Sequence, residues 1–320
     1  MGGTSKAFIF PGQGSQSVGM AKALADEFSQ ARAVLDDVDE ALGQRLSKLM
    51  FEGPQDELTL TANAQPALMA ASLAAIRVLE AEAGLDLSRD AAFVAGHSLG
   101  EYSALAAAGS FSVAEAARLL RLRGMAMQDA APVGAGAMAA LLGVEVEAAA
   151  EIARQAAEEA GPGAVCDVAN DNGGGQVVVS GSVAAVNRAI EIAKTKGARR
   201  SLLLPVSAPF HCSLMRPAAE AMAAALAKVE IRPPCAPLVA NVLAAPVSDP
   251  AEIRRLLVAQ VTGAVRWRES LIFMAGKGVS LFVECGAGKV LSGLVKRVCA
   301  DATGISVGTP ADIAGYKAQA

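Results

Sequence analysis

The pentapeptide Gly96-His97-Ser98-Leu99-Gly100 concentrates the most chemistry in this 320-residue chain. A serine between two glycines, placed between a short apolar run (91–95) and an alanine-rich, helix-permissive stretch after Glu101, has the pattern of a nucleophile elbow. The glycines allow the tight turn that exposes the hydroxyl. The helix that opens there offers unpaired N–H groups and the positive end of its dipole, so the Leu99 backbone N–H can point at a developing oxyanion. The same residues also fit a plain strand-to-helix turn.

A serine nucleophile needs a base, and the chain has only two histidines. His97 sits beside the serine on the same elbow, so its ring should point away from the hydroxyl. His211, in Ser207-Ala208-Pro209-Phe210-His211-Cys212, is the remaining candidate, although a lone histidine after a proline-containing loop also fits a structural hydrogen-bonding role. Cys212 is a weaker alternative nucleophile, with no second histidine to activate it, and reads as a small buried residue.

Arg123 is the third marked residue. In the helix expected from Val113 to about Met127, Arg118 and Arg121 fall on a polar stripe, with Glu115 three residues before Arg118. Arg123 follows Leu119 by four positions and precedes Met127 by four, which places it on the apolar stripe. A buried guanidinium without a partner costs several kcal/mol, roughly, so it implies an anion. That anion is either an internal Asp or Glu or a substrate carboxylate gripped bidentately. Gln13, in Phe10-Pro11-Gly12-Gln13-Gly14-Ser15-Gln16 after the first strand, is free to aim its amide or its backbone N–H at a ligand, because loops after strand carboxyl ends line sites in open α/β sheets. A simple glycine-rich turn is the alternative, and the lack of Gly-Lys-Ser/Thr argues against a phosphate loop.

Alternating strands and helices must position these residues. A strand over 7–10, a helix over 65–82 ended by Gly84, a strand over 91–95 and a capping box at Ser112-Val113-Ala114-Glu115 describe the first 130 residues. Residues 131–206 change rhythm: strand 137–142, helix 145–159, strands 164–169 and 176–180 around the turn-rich 170–175, helix 183–196 and strand 201–206. This β-α-β-β-α-β order is ferredoxin-like. Helices at 214–229, 250–261, 266–277 and 288–298 and strands at 237–241 and 281–284 complete the chain. The expected fold is an α/β core with a parallel sheet, formed by 1–130 and 207–320, interrupted by a ferredoxin-like α+β insertion over 131–206.

Composition narrows the function classes. Aromatics are only 4% and the net charge is −4, which argues against general nucleic-acid affinity. The apolar start is stopped by Pro11-Gly12 before a secretory signal forms, and no apolar run approaches the ~20 residues of a membrane span. The five scattered cysteines lack C-x-x-C spacing, fit a reducing cytoplasmic compartment, and with two histidines leave no good metal site.

The motifs together resemble the malonyl-CoA:acyl carrier protein transacylases and the acyltransferase domains of fatty acid and polyketide synthases. The resemblance runs from about Ala7 to Arg297. It rests on the segments above, with the elbow extended to Glu101 as Gly96-His97-Ser98-Leu99-Gly100-Glu101, and on Leu122-Arg123-Gly124, Gly136-Ala137-Met138-Ala139-Ala140, Gly175-Gln176-Val177-Val178 and Gly286-Ala287-Gly288-Lys289-Val290-Leu291. It implies an α/β-hydrolase-like core, with Ser98 as nucleophile and His211 as its base in a dyad. It further implies that a backbone carbonyl near Gln260 orients the imidazole, that Arg123 holds the malonyl carboxylate, and that the Gln13 and Leu99 N–H groups form the oxyanion hole. His97 and Phe210 would line the pocket. The substrates would be malonyl-CoA and acyl carrier protein, with a coenzyme A thioester consumed and no cofactor, in a protein that resembles monomeric members. Phe210 stands where some stand-alone members have serine, which should narrow the room for an α-methyl group. Ala287 stands where proline is common. Lys194, Lys196, Arg199 and Arg200, and Lys289, Lys296 and Arg297, are two basic sets that either dock an acidic carrier or are solvated charge. An esterase or thioesterase would share the elbow and the late histidine, but would not need Arg123 on an apolar face. A non-enzymatic binding module would not need this residue set at all.

Overall fold

The computed structural model describes residues 5–132, 134–206 and 208–318. Ser207, the expected point of return from the insertion to the core, lies outside the described residues, as do 1–4, 133, 319 and 320. Among the described residues the strands, in chain order, are β1 (Lys6–Phe10), β2 (Ala91–Gly96), β3 (Gly136–Leu142), β4 (Cys166–Gly173), β5 (Gln176–Ser182), β6 (Arg200–Leu203), β7 (Leu238–Ala240), β8 (Ala245–Val247), β9 (Leu281–Cys285) and β10 (Thr303–Val307).

Phe8 and Phe10 of β1 feed one hydrophobic core, and Ala7 and Ile9 feed a second on the opposite face. A strand apolar on both faces belongs inside a parallel sheet covered on both sides. Accordingly β1 pairs in parallel with β2 and β9, within a six-stranded order β10-β9-β1-β2-β7-β8. The sheet is mixed, because β7 and β8 form an antiparallel edge. The carboxyl ends of β1 and β2 lie side by side, and the His97 N–H donates to Phe10 O at 3.0 Å. The Gln13 loop and the serine turn are therefore neighbours.

The second sheet has the order β4-β5-β3-β6, and each of its pairings is antiparallel. Ala139 and Leu141 of β3 pack with the helices Val146–Ala160 and Val183–Thr195, while Met138 and Ala140 face the main core. Val265 joins the sheets: its N–H donates to Ala169 O and its carbonyl accepts from Asp171 N–H, at 2.8 and 3.0 Å. An Arg268–Asp171 ion pair of 2.7 Å reinforces this seam.

Several expectations change. The stretch 170–175 is turn only at Gly174-Gly175, because Asn170 and Asp171 are buried, pair with β5 and so extend β4, with the Asp171 N–H bonded in the seam. The helix expected over 65–82 begins a turn earlier, as Thr61–Ala83, and tolerates Pro66 near its start. β6 stops at Leu203; Leu204 N–H still donates to Met138 O at 2.9 Å, and 204–206 line a cavity. β8, β10 and the helix Pro310–Lys317 add to the elements that the sequence pattern predicts. The capping box at Ser112 is present, but Glu115 serves the cap, and Arg118 donates to Ala41 O rather than to Glu115.

Candidate active site

The turn between β2 and the helix Gly100–Ala107 holds Ser98 at φ +54°. This left-handed conformation strains a side-chain-bearing residue and persists only where its surroundings enforce it. Two features enforce it here. A Cβ on Gly96 would come within 1.8 Å of Gly100 O, and one on Gly100 within 2.3 Å of Phe10 O, so both flanks must be glycine. Asn241, fully buried after β7, accepts from the Ser98 N–H at 2.8 Å and donates from Nδ2 to Gly96 O at 2.7 Å.

Ser98 Oγ lies 2.7 Å from His211 Nε2. The other ring nitrogen, Nδ1, lies 2.9 Å from Gln260 O and 3.1 Å from Gly263 O. Carbonyls only accept, so Nδ1 carries the proton and Nε2 is free to receive one from the serine. Among the described residues no carboxylate bonds to this ring; the pair is a dyad oriented by main-chain oxygens. Burial, and then the nearby Arg123 charge, push the His211 pKa down to about 3. Its resting form is thus the neutral base.

Arg123 is almost completely buried, at 1% exposure. Nη1 donates to Gln65 Oε1 at 2.8 Å, and Nη2 donates to Gln260 Oε1 at 2.8 Å and to Ser98 Oγ at 3.2 Å. Nε has no partner among the described residues. The internal ion pair that the sequence left open does not form: every acceptor that Arg123 meets is neutral. A buried cation so placed keeps most of its capacity to bind an anion at the serine.

Gln13 turns its side chain away, with Oε1 accepting from Thr61 Oγ1 at 2.8 Å. The backbone N–H groups of Gln13 and Leu99 have no acceptor among the described residues. His97 also turns away from the serine, bonding through Nε2 to Asn172 Oδ1 at 2.9 Å beside the Trp267 ring. A cavity of about 400 Å³ is bordered by Gln13, Ser98, Leu99, Arg123, Phe210 and His211. Met138 and residues 204–206 close it from the second sheet. The Cys212 thiol is buried against Pro209 O, and its pKa is raised by burial, which disfavours it as a nucleophile.

This arrangement can form an ester at Ser98 and hold a carboxylate close to it. Residues 7–316 match the acyl transferase domain family. The chain belongs to that family. A relative from Bacillus subtilis (strain 168), a malonyl CoA-acyl carrier protein transacylase, is 44% identical over 307 residues, covering 96% of this chain and 94% of the relative. The crystal structure of an acyl-carrier-protein-S-malonyltransferase from Bartonella henselae superposes with a TM-score of 0.94 at 55% identity, covering 98% of each chain. A malonyl-transacylase solved in complex with a type II PKS acyl-carrier protein superposes with a TM-score of 0.94 at 38% identity, covering 99% of this chain and 100% of that one.

Within this acyl transferase, the spacing of motifs misses five residues that complete the site: Gln65, Glu101, Asn241, Gly263 and the side chain of Gln260. Only Gln65 carries a local signal, since Thr61 and Gln65 are polar residues one turn apart at the start of a helix whose next six residues are apolar, and Gln65 Nε2 donates to Thr61 Oγ1 at 3.1 Å.

Proposed function

We propose that the protein transfers the malonyl group of malonyl-CoA to the phosphopantetheine thiol of an acyl carrier protein through an acyl-Ser98 intermediate, supplying extender units for fatty acid synthesis. The observation that carries this reading is the buried Arg123 guanidinium, which lacks a carboxylate partner among the described residues and lies 3.2 Å from Ser98 Oγ.

Ser98 Oγ attacks the thioester carbonyl as its proton passes to His211 Nε2, while Gln260 O and Gly263 O hold the ring and stabilise the imidazolium. The carbonyl oxygen becomes an oxyanion received by the Gln13 and Leu99 N–H groups, each such donor being worth on the order of 10²–10³ in rate. The C–S bond breaks, His211 returns the proton to the departing coenzyme A thiolate, and the ester remains. The carrier thiol then gives its proton to His211, attacks the ester and leaves as the malonyl thioester while Ser98 regains its proton. Coenzyme A thus enters as a substrate, and the scheme uses no cofactor. A thiolate is a good leaving group, which is consistent with a dyad that lacks a carboxylate. Closure of the cavity by the second sheet supports exclusion of water from the ester.

The β-α-β-β-α-β order and antiparallel pairing support reading 131–206 as a ferredoxin-like insertion in an α/β-hydrolase-like core of 1–130 and 207–320. The five free cysteines support a reducing, cytoplasmic setting for what we read as a monomer, with neither nucleic acid nor membrane as partner. Lys194, Lys196, Arg199 and Arg200 are exposed and have no ion pair among the described residues, which supports docking of an acidic carrier near the end of the insertion. Charge reversal at Arg199 and Arg200 should raise the KM for the carrier; an unchanged KM would remove that surface from the proposal.

The test of the transfer reading is intact mass measurement after brief exposure to malonyl-, methylmalonyl- and acetyl-CoA. The expected result is a malonyl adduct that is absent in Ser98→Ala and discharged by holo carrier protein. An adduct discharged by water as readily as by carrier would make the protein a thioesterase.

A further inference from the structure

Glu101 follows the serine turn, and its carboxylate is 1% exposed. It does not reach solvent and does not bond to Arg123. Its Oε2 accepts from Gln260 Nε2 at 2.7 Å and from the Asn241 N–H at 3.1 Å. Gln260 Nε2 also donates to Ser98 O at 3.0 Å and lies 3.3 Å from Asn241 Oδ1. The opposite end of the same amide, Oε1, receives Arg123 Nη2 at 2.8 Å.

An amide can be turned end for end, and only its neighbours decide which way it faces. Here every group facing Nε2 is an acceptor, and the group facing Oε1 is a cation. If the amide turned over, its NH₂ would meet the guanidinium and its oxygen would meet a carboxylate and a carbonyl. The carboxylate supplies the strongest of these preferences, because a charged acceptor bonds more strongly than a neutral one. Both neighbours of Arg123 Nη2 then follow from Glu101: the Gln260 oxygen fixes one side of that nitrogen, which leaves the other directed at Ser98 Oγ.

We infer that Glu101 is a positioning residue for acyl selection: through the Gln260 amide it aims the Arg123 guanidinium at the acyl site, so that a carboxylate-bearing acyl group is preferred. Glu101 touches neither substrate nor reacting atoms. This inference rests on the proposed malonyl transfer, because it concerns how Arg123 is aimed. Burial raises the Glu101 pKa to about 7 against the lowering effects of Gln260, Asn241 and Arg123, so the charged acceptor that orders the amide is most fully present above neutral pH.

The experiment compares acylation of the full-length enzyme by malonyl-CoA and acetyl-CoA, as kcat/KM, in wild type, Glu101→Ala, Glu101→Gln and Gln260→Met. The wild type should prefer malonyl-CoA. Glu101→Ala should lose roughly ten- to a hundredfold with malonyl-CoA, the scale of a hydrogen bond to a charged group, and substantially less with acetyl-CoA. Glu101→Gln, which retains one acceptor oxygen, should recover most of the malonyl preference. Gln260→Met breaks the same chain at its middle and should reproduce the selective loss; it carries the test if Glu101→Ala fails to fold. A folded Glu101→Ala that loses both acyl groups equally, or keeps the wild-type ratio, would overturn the inference while leaving malonyl transfer intact. A wild type without malonyl preference would instead overturn the functional reading beneath it.

Discussion

Arg123 Nη2 lies 3.2 Å from Ser98 Oγ, so the group proposed to grip a substrate carboxylate also contacts the proposed nucleophile. The same charge acts on the dyad, since Arg123 is the second cause of the depressed His211 pKa, after burial. An incoming carboxylate would therefore do two things. It would draw the guanidinium off the serine oxygen, and it would neutralise a charge that opposes formation of the imidazolium. Acyl groups without a carboxylate would do neither.

Arg123→Ala should lower kcat/KM for malonyl-CoA by about a hundredfold or more, on the scale of an uncompensated buried charge pair. Acetyl-CoA should gain relative to it. Arg123→Lys should not rescue, because one ammonium cannot replace the planar fork that reaches Gln65, Gln260 and Ser98 together. Acylation rates for the two thioesters measure this. An unchanged malonyl preference in Arg123→Ala would remove the clamp.

The depressed His211 pKa fixes the direction of the pH dependence. The base stays neutral in the folded enzyme well below the ordinary imidazole value, so the acid limb of kcat/KM should fall below pH 6.5. Stability carries the opposite concern. Between about pH 6.5 and 3 the unfolded chain binds a proton at this residue and the folded chain does not, so the contribution to stability is intact above pH 6.5 and is lost as pH falls. The slope can reach about 1.4 kcal/mol per pH unit. Chemical denaturation at pH 5 and pH 7 should show a smaller difference for His211→Gln than for wild type.

The elbow, the base and the guanidinium are legible in the sequence because each has a local mark: two glycines around a serine, a scarcity of histidines, a cation on an apolar stripe. The strands β1 and β2 are legible for the same reason, as apolar runs ended by turn residues. The supporting groups have no such mark. Glu101 sits in the first turn of a helix, where an acidic residue ordinarily answers the helix dipole at the surface; that it turns inward depends on Asn241 and Gln260, 140 and 159 residues away. Asn172 reads as part of a glycine-rich turn, and only the pairing of its neighbours Asp171 and Gly173 with β5 makes it a strand residue whose side chain meets His97. Spacing reports neighbours along one element, and these partners come from different ones.

Phe210 borders the cavity beside His211 and is itself 8% exposed, and we propose that its ring limits the room for an α-methyl group on the acyl chain. Phe210→Ser should raise acylation by methylmalonyl-CoA relative to malonyl-CoA by about tenfold, the usual range for one methyl group in an apolar pocket. Competition between the two thioesters, read by intact mass, measures the ratio. No change would place the methyl group elsewhere in the cavity.

Asn241 is the opposite kind of supporting residue from Glu101, because it holds the nucleophile itself. Its side chain pairs the Ser98 N–H and Gly96 O, both main-chain groups of a turn whose serine sits at φ +54°. Asn241→Leu keeps the volume and removes both bonds, leaving two main-chain groups unpaired at a cost of about 1–3 kcal/mol each, and it releases the restraint that keeps Ser98 in a strained conformation. It also removes the Oδ1 acceptor 3.3 Å from Gln260 Nε2, the longest of that nitrogen's three contacts, while the Asn241 N–H to Glu101 remains. Stability should fall, and kcat should fall with it. The loss should be the same for malonyl- and acetyl-CoA, since the oxygen of Ser98 serves both. A preferential loss of malonyl transfer in Asn241→Leu would mean that the turn and the guanidinium are coupled through Asn241, and that the nucleophile and the carboxylate grip do not have separate supports.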